Sequence, residues 1–304
     1  MLAFRTVLRP FVPLALFLLT MSPCAIAQET PTPSADASTA PADNQWLDDY
    51  GRAMTEAKNA GKMLLLWFVD ERNPAANDAF ERDVLRSQPI AERLRNFITV
   101  KLPVGATFVH EGKSITLLQH SSLAEMLGRP GVAIIDQRDP ESPHFGRVVS
   151  VYPFTKGPIT RDRLAVLLDL PTGTLTQRTM IFAVRTHPLR PQSAWSEMSD
   201  MLAAETQQHS TYQASIRLQG HHRWEQRFHQ INARLPAHLV ANEVCAESWP
   251  GQTLVEAAEE CVDCWRQSSG HWDHVSRRHA MFGYDIKRGS NGIWYATGIF
   301  ASYR

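Results

Sequence analysis

The sequence carries no excess of either charge: 31 Lys and Arg are matched by 31 Asp and Glu over 304 residues. With no net field there is nothing at long range to draw in a polyanion, which sets nucleic-acid binding aside. Cysteine is scarce, with 4 residues. Long apolar runs are lacking too, because the N-terminal run from Phe11 to Met21 is shorter than the roughly 20 residues a membrane-crossing helix needs. What is present is 43% hydrophobic and 20% charged residues, the composition of a globular chain with room for about two domains.

Residues 1–27 have the form of a secretory signal: Arg5 and Arg9 open it, the apolar run follows, and Ala25-Ile26-Ala27 offers a small-residue cleavage site. A periplasmic or secreted location follows from that, with no stable membrane span after cleavage, and Cys24 is discarded with the signal. Residues 28–43 are Pro, Ser, Thr, Ala and Asp without a large apolar side chain, which makes them a disordered tether. Cys245, Cys261 and Cys264 then remain in a compartment where disulfides persist. Three thiols cannot all pair within one chain. Cys261 and Cys264 lie one turn apart in a predicted helix, where a bridge would be strained, so Cys245 with one of the two is the expected pair. A Cys-x-x-Cys redox pair gains its low pKa at a helix N-terminus, whereas these two lie towards the C-terminal end of theirs.

From residue 44 the pattern predicts a helix through Ala60 closed by Gly61, then a strand, Met63 to Val69, whose unbroken apolar run suits burial on both faces. A helix follows Pro74, and Phe97 to Leu102 is a strand. Ser121 to Leu127 is a short helix, and Gly128-Arg129-Pro130 precedes the strands Val132–Asp136 and Val148–Tyr152. Thr160 caps a closing helix, Arg161 to Leu168. In this order, and in Leu64-Leu65-Leu66-Trp67-Phe68 and Gly128-Arg129-Pro130-Gly131, residues 44–170 resemble secreted members of the thioredoxin superfamily. The resemblance implies an α/β domain with Pro130 as a cis-proline beside the active site. Where the family places its two reactive cysteines, this chain has Asp70-Glu-Arg-Asn73-Pro-Ala-Ala76. Without a thiolate nucleophile there is no disulfide exchange by the usual route, so a degenerate active site serving binding or support is expected.

Pro171-Thr172-Gly173 reads as a domain boundary. Beyond it, a helix is expected over Leu175–Thr186 and another over Met198–Leu218, with Glu205 and His209 facing inward. A strand is expected over Val240–Ala246, and a closing hairpin turns at Gly289-Ser290-Asn291-Gly292. The stretch from Glu243 to His271 holds all three remaining thiols. Its middle predicts a helix that starts at a Thr253/Glu256 capping box and stops at Ser268-Ser269-Gly270, leaving His271 just past the C-terminus, where carbonyls favour an imidazolium.

Three runs in this half resemble the CAP superfamily of cysteine-rich secretory and pathogenesis-related proteins: Glu243-Val-Cys-Ala246, Trp265-Arg-Gln-Ser-Ser-Gly-His271, and Phe282-Gly-Tyr284 with Trp294-Tyr-Ala-Thr-Gly-Ile-Phe300. The resemblance implies that residues 172–304 are an α+β domain built as an α-β-α sandwich, with a cleft of two histidines and two glutamates that binds a divalent cation in some members. By position, His222 (or His221), Glu243 and His271 are three of the four, and Ser268 stands where many relatives have the second glutamate. Two imidazoles and a carboxylate can hold Zn²⁺ with an open position. The expected function is therefore an exported, non-redox binding or scaffolding protein of the cell envelope, whose cleft takes a lipid, glycan or peptide. The alternative is a metal-dependent hydrolase using His222, Glu243 and His271.

Overall fold

A computed structural model of the protein describes residues 46–110 and 112–304. The expected signal, the tether and Cys24 lie outside the described residues. No helix among them is long and apolar enough to cross a membrane.

The first half runs α1 (Tyr50–Ala60), β1 (Met63–Val69), α2 (Pro74–Phe80), α3 (Gln88–Leu94), β2 (Phe97–Pro103), the hairpin β3 (Thr107–His110) and β4 (Lys113–Thr116), β5 (Gly131–Ile135), β6 (Val148–Pro153) and α4 (Arg161–Leu168). Asp49 caps the start of α1 and Gly61 closes it in the left-handed region at φ 59°. β1 is central in a sheet of order β2-β1-β5-β6, parallel to β2 and antiparallel to β5. Every residue of β1 is buried. Successive side chains alternate between two covered faces: Leu64, Leu66 and Phe68 pack with α1, whereas Met63, Leu65, Trp67 and Val69 join the core that holds Phe80, Leu94 and Leu164. All described peptide bonds are trans, including the one before Pro130, contrary to the cis bond implied by the resemblance.

The second half runs α5 (Leu175–Thr186), the short β7 (Glu197–Met198), α6 (Asp200–Ile216), α7 (Trp224–Asn232), β8 (Leu239–Glu247), α8 (Leu254–Gln267), α9 (Ser269–Ser276), β9 (Met281–Arg288) and β10 (Trp294–Tyr303). The strands form a sheet of order β7-β9-β10-β8, antiparallel from β9 to β8. Helices cover both of its faces, with α6 and α7 on one and α5, α8 and α9 on the other. Gly283 lets α6 approach β9 closely, since a Cβ there would lie 2.5 Å from the Leu202 carbonyl carbon.

The expected boundary at Pro171–Gly173 falls inside a single compact unit that takes in both halves of the described chain. One apolar core runs through both halves, from Trp67 and Ile134 through Phe182 to Trp265 and Tyr284. Helix α5 lies at its centre, and residues Gln177 to Val184 are buried all round. The fully buried Arg178 ties this helix to the first sheet. Nε donates to Ser150 Oγ at 2.8 Å, Nη1 to Leu170 O at 2.9 Å and Pro171 O at 2.6 Å, and Nη2 to Leu167 O at 3.4 Å. At the rim Arg163 pairs with Glu259, and Lys156 Nζ lies 3.1 Å from Glu256.

Removing the guanidinium strands buried carbonyls. Arg178→Ala is therefore expected to cost about 3–5 kcal/mol, read as a lower urea midpoint in equilibrium unfolding. An unchanged midpoint would mean that Arg178 does not hold the halves together.

Candidate functional site

Strand β8 and its neighbours bring together most of the polar residues singled out in the second half. Its side chains alternate, so Leu239, Ala241, Glu243 and Cys245 face α6 and α7, while Val244 and Ala246 pack under α8.

Glu243 is the hub, and its side chain is 0% exposed. Oε1 stands 3.0 Å from His221 Nδ1 and 3.9 Å from His209 Nε2. Oε2 stands 2.5 Å from Arg227 Nη2, on the first turn of α7. That contact is an ion pair between two buried groups, and Arg227 Nη1 makes no hydrogen bond among the described residues. Burial pushes the Glu243 pKa up, but the hydrogen bond to His221 and the Arg227 charge outweigh it and leave the carboxyl below its usual value. His209, on α6, meets Gly220 O at 2.9 Å through Nε2, and burial lowers its pKa.

His221 links two partners. Its Nδ1 faces Glu243, and its Nε2 lies 3.3 Å from His271 Nε2. Helix α8 stops at Gln267, as expected, but a new helix, α9, starts at Ser269, so His271 sits in its first turn, where the dipole disfavours an imidazolium. Burial, and then the neighbouring His221, hold its pKa below the ordinary histidine value.

His222 turns away. Its Nε2 reaches Leu218 O at 3.2 Å and its ring packs against Tyr212. Ser268 is the C-cap of α8, its N–H bonded to Trp265 O. The expected metal set of His222, Glu243 and His271 thus does not fit a single ion: His222 faces elsewhere, and the His221 ring stands between Glu243 and His271.

The expected disulfide is absent, and all three described cysteines are free. The reason lies in the alternation of β8. Cys245 faces α6 and α7, whereas Cys261 is buried in the core on the opposite face of the sheet. Cys264 Sγ lies 3.8 Å from Glu247 O and from Glu260 Oε1. Cys245 Sγ is 3.8 Å from His221 Nδ1. Burial, and then the Glu243 charge, raise its pKa well above that of a free thiol, so it is no nucleophile.

A concavity of about 380 Å³ opens in the first half between the loop after β1 and Pro130. Trp67, Phe80 and Phe154 line it with apolar surface, and Asp70, Asn73, Asn77 and Arg129 supply polar groups. The residues that stand where the resemblance puts the two cysteines, Asp70 to Ala76, thus form one wall of a pocket. The start of α2, where the resemblance puts a reactive thiol, carries Asn73, whose side chain accepts from Ala76 N at 3.3 Å. Asn77 Nδ2 donates to Asp70 O at 2.9 Å, and Asp70 pairs with Arg72 at 2.9 Å.

Comparison with known proteins finds thioredoxin-like structures. The chain is similar to a thioredoxin from Thermus thermophilus solved in solution, at 18% identity and a TM-score of 0.29, over 41% of this chain and 85% of that one. It is also similar to a DsbH oxidoreductase at 17% identity and a TM-score of 0.27, over 42% of this chain and 85% of that one. No family model and no curated protein matches the chain. These matches lend no support to the CAP resemblance.

Arg227 joins the cluster without having been expected there, while His209 was expected only to face inward and Cys245 only as half of a disulfide. The one signal available was spacing: Glu243 and Cys245 are two apart in a strand and share a face.

The depressed pKa values of His209 and His271 set a pH dependence. In the unfolded chain these histidines bind protons below about pH 6.5, while in the fold they bind them only at lower pH. Their contribution is therefore complete above that value and is lost as pH falls towards the folded pKa. Unfolding free energy is expected to drop between pH 7.5 and 5, less steeply in His209→Gln. Parallel curves for the two proteins would contradict the assignment.

Proposed function

We propose that the protein is an exported, thiol-independent binding or scaffolding protein of the cell envelope, and that the groove between the β1–α2 loop and Pro130 takes its ligand. The observation that carries this reading is the groove itself: apolar lining, polar groups beside it, and no sulfur at the helix start where redox chemistry would need it. An extended peptide that buries an apolar side chain against Phe80 and Phe154 suits such a lining.

A second reading, metal-dependent hydrolysis in a CAP-like cleft, is favoured by the chain of His271, His221 and Glu243 around β8. It requires a metal position open to water, and the Glu243 side chain is fully buried.

Retention from immobilised peptide, glycan and lipid pools tests the proposal. The protein is expected to retain peptides, Ala76→Arg at the groove to lose at least about tenfold in affinity, and His271→Ala to match the wild type. It is also expected to leave a model disulfide unreduced. Retention of nothing, or retention that survives Ala76→Arg, would sink the groove reading.

A further inference from the structure

In the cluster around Glu243, His209 and Cys245 serve neither reading above. We propose that His209, His221, Glu243 and Cys245 form a closed structural zinc site with the Cys245 thiolate as its sulfur ligand.

Geometry is the first argument. In a tetrahedral zinc site with bonds of about 2.0–2.3 Å, neighbouring donor atoms stand roughly 3.3–3.7 Å apart. Here His221 Nδ1 is 3.0 Å from Glu243 Oε1 and 3.8 Å from Cys245 Sγ, and Glu243 Oε1 is 3.9 Å from His209 Nε2. The donors of His209, Glu243 and Cys245 all lie within 4.8 Å of one another, whereas His221 stands outside that set, so its half-exposed ring must swing towards His209 to complete it.

Burial is the second. The side chain of Glu243 is 0% exposed and that of His209 is 1% exposed, while Cys245 is 2% exposed. Arg227 is paired with Glu243 Oε2, so the side open to an ion is that of Oε1, where the Cys245 thiol and the His209 ring are buried with it.

The donor types select the metal. Sulfur, imidazole and carboxylate together suit zinc, whereas magnesium and calcium take oxygen. Arg227 engages only Oε2, so Oε1 can ligate once the His221 Nδ1 proton that faces it is given up. His271 then becomes an orienting partner: a hydrogen bond from His221 Nε2–H to His271 Nε2 leaves the Nδ1 lone pair for the metal. On binding, the Cys245 proton leaves to solvent as the S–Zn bond forms, and the neutral His209 ring carries its N–H at Nδ1 instead of donating to Gly220 O. With four protein donors no position remains for water, which separates this site from a hydrolytic one.

Cobalt titration of the full chain, with zinc in competition, is the test. One equivalent is expected to bind with a thiolate-to-cobalt charge-transfer band, and zinc is expected to raise Tm by about 5 °C or more. Cys245→Ser removes the band, and His209→Gln weakens binding at least about tenfold; Cys264→Ser and His222→Gln leave both unchanged. If Cys245→Ser does not fold, a Cys24→Ser, Cys261→Ser, Cys264→Ser variant decides, since a band that persists there can come only from Cys245. Substoichiometric binding, no change in Tm, or a band that survives Cys245→Ser or vanishes in the triple variant overturns the proposal.

Discussion

A fully buried guanidinium on α5 must be satisfied, and the way Arg178 achieves this holds the molecule together. A buried cation is tolerated only where oxygen atoms surround it. Here those atoms are a serine hydroxyl on β6 and carbonyls at the end of α4 and in the loop that follows, so the first residues of the second half are keyed into the first sheet. Burial draws its pKa down to about 9, and the side chain stays charged at neutral pH. Because α5 also packs on α8 and β9, the same contact sets the second sheet against the first. A linker between two separate cores would leave Met180, Phe182 and Val184 exposed, whereas here they are buried.

The polar cluster follows from that packing at one remove. With α8 and α9 covering the even-numbered face of β8, its odd-numbered side chains are left for α6 and α7 to cover. Glu243 and Cys245 are thereby enclosed along with the apolar Leu239 and Ala241, and their needs fall to His209, His221 and Arg227. The groove at Pro130 has a different origin. It lies where β1 ends and α2 begins, a place where backbone N–H groups favour negative charge, and here Asn73 occupies that position.

Most elements were legible because their signals are local. The apolar run of β1, the Thr253/Glu256 capping box of α8, the αL glycine after α1 and the Asn-Gly turn between β9 and β10 each act within a few residues, and each lies where the pattern put it. Others were invisible or misread. The break between α8 and α9 carries no Pro, and Gly270 lies inside α9 rather than ending a helix, so His271 was assigned to the wrong end of a dipole. Helix α7, and with it Arg227, opens at Arg223 in the left-handed region without a side-chain cap, so it announces itself weakly.

The sequence by itself determined that no thiolate stands at the start of α2, that charge is balanced, and that strands and helices alternate as they do in the first half, because these are matters of residue identity and short-range spacing. Only the tertiary structure decided which histidine meets Glu243, that Cys245 and Cys261 lie on opposite sides of a sheet, and that the two halves share one core. Those outcomes turn on which face of a strand or helix is covered by elements far away along the chain. Adjacent residues such as His221 and His222 differ only in direction, and direction is fixed by packing.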